Sequence, residues 1–194
     1  MNAAANSSRG SALLEVLITI VILAIGLLGV AGLQARIYTL EFESYQRAQA
    51  VVILNDIAER VASNPEARDI YVAASPLGVG PTPPNPLCST LTDAARDACE
   101  LGELLKGSGE KQGSTSVGAM NKAQACITSF TATATEAFNR CQTGVQIDVV
   151  WQGRSPTIVP IASCGTTGAS PAYSATDAYR RAVSLRVGTG DVAC

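Results

Sequence analysis

The chain has 194 residues, with 14 Lys and Arg against 16 Asp and Glu, six cysteines and no histidine. A net charge of −2 argues against a nucleic-acid binder that works through overall basicity. The lack of histidine excludes Ser-His-Asp and Cys-His catalytic arrangements and every zinc site that contains histidine.

An apolar run near the N-terminus, residues 12–33, carries one charge, Glu15, and one hydroxyl, Thr19. As a helix rising about 1.5 Å per residue, the run is long enough to cross a bilayer core of about 30 Å. Arg9 precedes the run and the next basic side chain is Arg36, which favours a cytoplasmic N-terminus and an exported C-terminal part. The run therefore predicts a single membrane-spanning helix, for which a permanent signal anchor is the simplest interpretation.

Two features fit a simple anchor poorly, namely a carboxylate inside the run and an Arg-Gly pair directly before it. Residues 9–18, RGSALLEVLI, resemble the class III signal of type IV prepilins. Residues 21–35, VILAIGLLGVAGLQA, resemble minor pilins of the PilV type, as do the segments 145–154 and 179–186.

The resemblance implies a defined processing of the N-terminus. A prepilin peptidase would remove residues 1–10 by cutting between Gly10 and Ser11, and the new amine of Ser11 would be methylated. Glu15 then becomes the fifth residue of the mature chain. A carboxylate in lipid needs a cation, and the resemblance implies that the amine of a neighbouring subunit supplies it.

The resemblance also implies a role and a set of partners. The role is a minor pilin that primes pilus assembly for twitching motility, and it is structural rather than enzymatic. The partners are the peptidase, other minor pilins, the major pilin, the inner-membrane assembly platform and the lipid bilayer. The protein would reside in the inner membrane, with its C-terminal domain in the periplasm, and then in the fibre. The alternatives are a minor pseudopilin of type II secretion and a tip adhesin acting through loops 65–90 and 107–120.

The predicted fold is α+β, a lollipop in which a long helix packs on a small antiparallel sheet. The helix spans 11–35 in the membrane and 36–64 on the domain, ending at Asn64-Pro65, and the globular domain covers 65–194. Two apolar rows are expected on its second half, one facing the domain and one facing neighbours. The first row is Leu40, Val51, Leu54, Ala58 and Val61, and the second is Tyr38, Phe42, Tyr45, Val52 and Ile53.

The globular domain is predicted to contain one short helix and three strands. The helix, residues 93–106, begins after Thr92 as its cap, and its expected apolar face is Ala95, Ala98, Leu101, Leu104 and Leu105. Alternating apolar residues predict strands over 145–151 and 179–187, and a weaker signal lies at 125–130. The proline-rich stretch 75–90 and the Gly/Ser-rich stretch 107–118 are predicted to be loops.

All six cysteines follow the apolar run, and none forms a Cys-x-x-Cys pair. An even number on the exported side predicts three disulfides formed in an oxidising compartment. Fifteen pairings are possible, and we expect the sequential one: Cys88–Cys99, Cys126–Cys141 and Cys164–Cys194.

Other candidate site residues have simpler structural interpretations. Trp151 is expected in the core, and Arg180-Arg181 at a solvated strand edge. The segment 188–191 lacks the second carboxylate of a calcium loop. Glu100, Glu103 and Glu110 show no paired acid for glycosidase chemistry. The sequence thus predicts no catalytic constellation, cofactor or metal.

Overall fold

The computed structural model describes residues 8–79, 86–107, 111–113, 115–116, 120–132, 140–166, 173 and 177–193. The chain divides into two compact units, Met1–Ser44 and Tyr45–Cys194. Its elements confirm the predicted α+β class, because a long N-terminal helix precedes a small antiparallel sheet.

Helix α1, Ser8–Ser63, is the longest element and contributes to both units. No proline interrupts it, and it ends where Asn64-Pro65 was predicted to stop it. In the first unit its apolar side chains from Leu13 to Leu33 are exposed. Helical hydrogen bonds satisfy the backbone there, and the hydroxyl of Thr19 donates to the carbonyl of Val16 at 2.8 Å.

In the second unit, α1 buries one face in the core of the domain. The buried residues recur at helical spacing: Gln46, Ala50, Ile53, Leu54, Ile57, Ala58 and Val61. The two predicted rows are partly wrong. Val51 is exposed although Leu54, Ala58 and Val61 of its row are buried, and Ile53 is buried although Tyr45 and Val52 of its row are exposed. Leu40 of the first row is exposed as well, and it lies in the first unit. Each residue turns the helix by about 100°, so an error of one residue moves a side chain off the buried face.

Two short helices pack beside this part of α1. Helix α2, Arg68–Ala74, was not predicted, and α3 spans Asp93–Leu105 close to its predicted bounds. The expected face of α3 is wrong in two places, because Ala94 is buried and Leu104 is exposed. Thr92 occupies the N-cap position but makes no side-chain capping bond.

The main sheet has three antiparallel strands in the order β3-β4-β5: Gln124–Ala132, Arg140–Gln152 and Arg180–Ala193. All three are longer than predicted. A further two-stranded hairpin, β1 (Lys111–Gln112) and β2 (Thr115–Ser116), lies in the stretch that was predicted to be a loop. A 3-10 helix, Pro86–Thr90, likewise occupies the end of the other predicted loop, and residues 80–85 lie outside the described part.

One face of the main sheet packs on the helices. The expected inward residues of β4, Val145, Ile147, Val149 and Trp151, are all buried in one core with α1, α2 and α3. On β5, Val183 and Val187 pack against this core, whereas Leu185 is partly exposed. At the opposite face, Val150, Cys164 and Tyr173 form a second, smaller cluster. The β4 residues were thus predicted correctly from alternation alone.

Candidate functional site

The residues of the predicted processing site lie at the start of α1. Gly10 and Ser11 are helical, and the side chain of Ser11 lies outside the described part of the chain. Glu15 is exposed, and the described residues offer it no ion-pair partner. The only charge of the apolar run is therefore without a counter-charge in the part of the chain that the structure describes.

The apolar side chains around Glu15 also lack contacts. Every described residue from Ala12 to Leu33 is exposed, including large side chains such as Leu28, which is 72% exposed. The helix contains a stretch long and apolar enough to cross a membrane. Since this surface is unfavourable in water, the segment requires a nonpolar environment from lipid or from other helices.

Part of the predicted disulfide pairing is wrong. Cys88 bonds to Cys99 as expected, but Cys126 bonds to Cys164, and this bond rules out both Cys126–Cys141 and Cys164–Cys194. The sequential pairing joined cysteines that are neighbours in the sequence and so closed short loops. The fold instead brings Cys164 next to Cys126 on β3. The side chain of Cys141 and the whole of Cys194 lie outside the described part.

Arg180 is not at a solvated edge, and this prediction is wrong. It is 1% exposed, and its guanidinium donates to the carbonyls of Ala162 at 2.6 Å, Cys164 at 2.9 Å and Pro160 at 3.1 Å. Neighbouring strand residues point to opposite faces, so an Arg-Arg pair was itself a signal that both could not share one solvated face.

Arg181 projects to the other side of β5 and binds the same connection between β4 and β5. It donates to the hydroxyl of Thr157 and to the carbonyl of Ser155, both at 2.7 Å. Its guanidinium lies over Gly153, where a Cβ would come within 2.7 Å of the Arg181 Cζ. Sequence reasoning missed this function of Arg181, because both of its acceptors lie more than 20 residues away along the chain.

Of the three glutamates singled out from the sequence, the two that the structure describes have different basic partners. Arg96 donates to Glu100 at 2.8 Å, which holds the pKa of that carboxyl below its ordinary value. Glu103 is buried and pairs with Lys106 at 3.1 Å, beside a groove of about 310 Å³ between α2 and α3. Glu110 lies outside the described residues.

The remaining candidates have structural positions. Trp151 is buried in the core as predicted, and the segment 188–191 is part of β5. Among the described residues, no three His, Cys, Asp or Glu side chains converge in a way that would hold a metal ion.

Comparison with known families identifies the N-terminus. Residues 5–31 match the prokaryotic N-terminal methylation motif. No curated protein and no solved structure matches the chain significantly. The matched range includes Gly10, Ser11 and Glu15, and it supports a subunit of the type IV pilin and pseudopilin kind. The motif implies processing by a prepilin peptidase and assembly with other pilins, and the apolar helix suggests membrane anchoring.

Proposed function

We propose that the chain is a minor type IV pilin of the PilV type, a structural subunit that helps to start pilus assembly. The observation that carries the proposal is the match to the methylation motif over an apolar run, residues 12–33 of α1, whose one charge, Glu15, has no counter-charge among the described residues. The exposed apolar side chains and the unpaired carboxylate of such a run are stabilised only by contact with lipid or with other helices.

The proposed maturation starts with hydrolysis of the peptide bond between Gly10 and Ser11. The cut leaves residues 1–10 as a free leader and creates an α-amine on Ser11, which is then methylated. A methylated amine remains protonated at neutral pH and is a suitable partner for a carboxylate. The enzyme that cuts acts on the cytoplasmic side, so the domain 65–194 lies in the periplasm.

Glu15 gives the assembly step its register. In the membrane an unpaired carboxylate is costly, so a subunit gains most when Glu15 meets the amine of its neighbour. An axial shift of one helical turn, about 5.4 Å, would separate the two charges. The pairing therefore selects one position of the incoming subunit.

The outward face of α1 in the second unit supports the same role. Tyr45 is 56% and Val52 is 68% exposed, seven residues apart in sequence, so both lie on one side of the helix. This side is opposite to the buried face that begins at Gln46 and Ala50. A helix that is apolar on both sides suits packing on its own domain and on other subunits.

Replacement of Glu15 by alanine tests the proposal. We expect Glu15→Ala to insert and be processed normally, but to be recovered with other pilins at a level lower by about tenfold or more, since about 1.4 kcal/mol corresponds to tenfold. Glu41→Ala is a matched control, because Glu41 lies on the same helix outside the apolar run. Normal recovery of Glu15→Ala in a pull-down of the subunit complex would contradict the charge pairing.

The second candidate is a minor pseudopilin of type II secretion, because the methylation motif is common to both kinds of subunit. Deletion of the gene separates the two. Loss of surface pili and of twitching supports the pilin, whereas loss of exoprotein secretion with normal pili supports the pseudopilin.

A further inference from the structure

The connection that follows β4 exposes a short apolar tip, residues 158–161, with the sequence Ile-Val-Pro-Ile. Ile158 is 93% and Ile161 is 104% exposed, and Val159 is 44% exposed. Single exposed apolar residues are common on protein surfaces. Here two nearly fully exposed isoleucines lie within four residues, and neither belongs to either core cluster.

The tip is held by an extensive set of contacts to β5. Buried Arg180 donates to the carbonyl of Pro160 within the tip and to those of Ala162 and Cys164 directly after it. Cys164 is in turn bonded to Cys126 of β3. Burying a guanidinium is costly, and here three backbone acceptors in one short segment offset that cost.

The N-terminal side of the tip is fixed as well. The amide of Thr157 donates to the carbonyl of Ala178 at 2.8 Å, and its hydroxyl accepts from Arg181 at 2.7 Å. Pro156 and Pro160 further restrict the backbone on either side of Ile158. The tip is thus presented in one conformation, with its apolar side chains outward.

We propose that the tip, residues 158–161, is a hydrophobic anchor that inserts into an apolar pocket on the globular domain of a neighbouring pilin-like subunit. This inference rests on the proposed function, since it assumes that the chain assembles beside such subunits. Preorganisation favours a protein pocket, because fixing a loop before contact lowers the entropic cost of a specific fit. Insertion into fluid lipid needs no such fixed geometry.

The size of the tip also favours a partner that is already tethered. A stable interface between free proteins uses about 20–30 residues on each side. Four residues fall far short of this, so the tip cannot hold a freely diffusing partner alone. A subunit held in the same membrane by its own helix is present at high effective concentration, and a small anchor then suffices to set its orientation.

Site-specific photo-crosslinking in cells tests the anchor. A photoreactive residue at Ile161 reports on the tip, and one at Val52 reports on the outward side of α1, where the proposed function expects contact with subunits. We expect the Ile161 probe to give a crosslinked protein whose own N-terminus is a processed, methylated prepilin end. Crosslinks at Val52 without any at Ile161, or Ile161 adducts of lipid mass only, would overturn the anchor and leave the proposed function intact. Crosslinks at neither position would overturn both.

A pair of variants provides the matched control. Ile158→Ser combined with Ile161→Ser removes the anchor from an exposed position, so its thermal unfolding should be unchanged. Ile70→Ser removes an exposed isoleucine elsewhere on the domain. We expect the double variant to lower recovery of the crosslinked Val52 complex by about tenfold, and Ile70→Ser to leave it unchanged. Equal recovery for the two would contradict the proposal.

Discussion

The two compact units of the chain differ in where their apolar side chains find contacts. Those from Leu13 to Leu33 in the first unit are exposed, whereas those of the second unit form a core with α1, α2, α3 and the sheet. The first unit is also the part that matches a known motif, and the second lies outside the match. The segment that matches the motif, residues 5–31, is therefore also the one whose apolar side chains depend on contacts with other molecules.

This difference has a physical origin. A helix that contacts lipid, a peptidase and other subunits is constrained on every side, so each of its positions accepts few residue types. A domain that stabilises itself needs only a consistent core, which many sequences satisfy. The comparison predicts that substitutions inside the second unit change its stability while leaving processing at Gly10–Ser11 unaffected.

The largest effect of this kind is expected from the disulfide that joins Cys126 to Cys164. It closes a loop with a sequence separation of 38, against 11 for Cys88–Cys99. Chain-entropy estimates give about 4 and about 3 kcal/mol, so Cys126→Ala with Cys164→Ala should destabilise more than Cys88→Ala with Cys99→Ala. Denaturant unfolding followed by the fluorescence of Trp151, the single tryptophan, measures both. Equal losses would contradict the loop argument.

With Cys126 bonded to Cys164 and Cys88 to Cys99, we expect the two remaining cysteines, Cys141 and Cys194, to pair with each other. Cys141 pairs in register with Val192, two residues before Cys194 in the sequence. Non-reducing peptide mapping should find Cys126–Cys164 and Cys141–Cys194, and a Cys126–Cys141 peptide would show that the pairing described here is wrong.

Arg180→Met is expected to have the next largest effect. It removes the donor from three backbone carbonyls, and we expect a loss of about 3 kcal/mol in the free energy of unfolding. Arg186→Met is the control, because Arg186 is exposed and lies 5.4 Å from the centre of the Phe130 ring, a contact that contributes about 0.5 kcal/mol. Processing of the N-terminus should be normal in both variants. If the two variants unfold alike, Arg180 does not hold the connection as described.

The smallest effect concerns alkaline pH. Burial raises the pKa of Tyr71, which donates to Asp97, and burial likewise raises that of Tyr173, which donates to the carbonyl of Lys122. The unfolded chain then loses these protons first, so stability is complete below pH 10 and falls as the pH rises above it. Each of the two tyrosines should lower the free energy of unfolding by up to about 1.4 kcal/mol per pH unit in the range where only the unfolded chain has lost its proton. Tyr71→Phe and Tyr173→Phe should each reduce this slope, and an unchanged slope in both would exclude the tyrosines as its cause.

The sequence predicted the elements with a clear repeating pattern. Strand β4 alternates, and its four inward residues were assigned correctly because one residue of error would invert the whole strand. Helix α1 ended as predicted because Asn64-Pro65 is a local signal. The burial of Ile53 and the exposure of Val51 were missed, since a helix with apolar residues on two sides does not show where its buried face begins and ends.

The long-range contacts were not predictable from local pattern. Cys164 pairs with Cys126, and Arg180 binds carbonyls up to 20 residues away, only because the connection between β4 and β5 folds back on the sheet. Nothing in the residue types of 153–166 determines that path. For the N-terminal site the reverse holds, because its residues are adjacent in sequence and the motif was visible directly.

The central claim is that the first unit is a processed pilin helix, and mass spectrometry of the mature N-terminus tests it most directly. Protein purified from membranes should begin at Ser11 and carry one additional methyl group on its α-amine. A purified chain that still begins with the uncut segment 1–10 would contradict the account and leave only an exported domain with a membrane anchor.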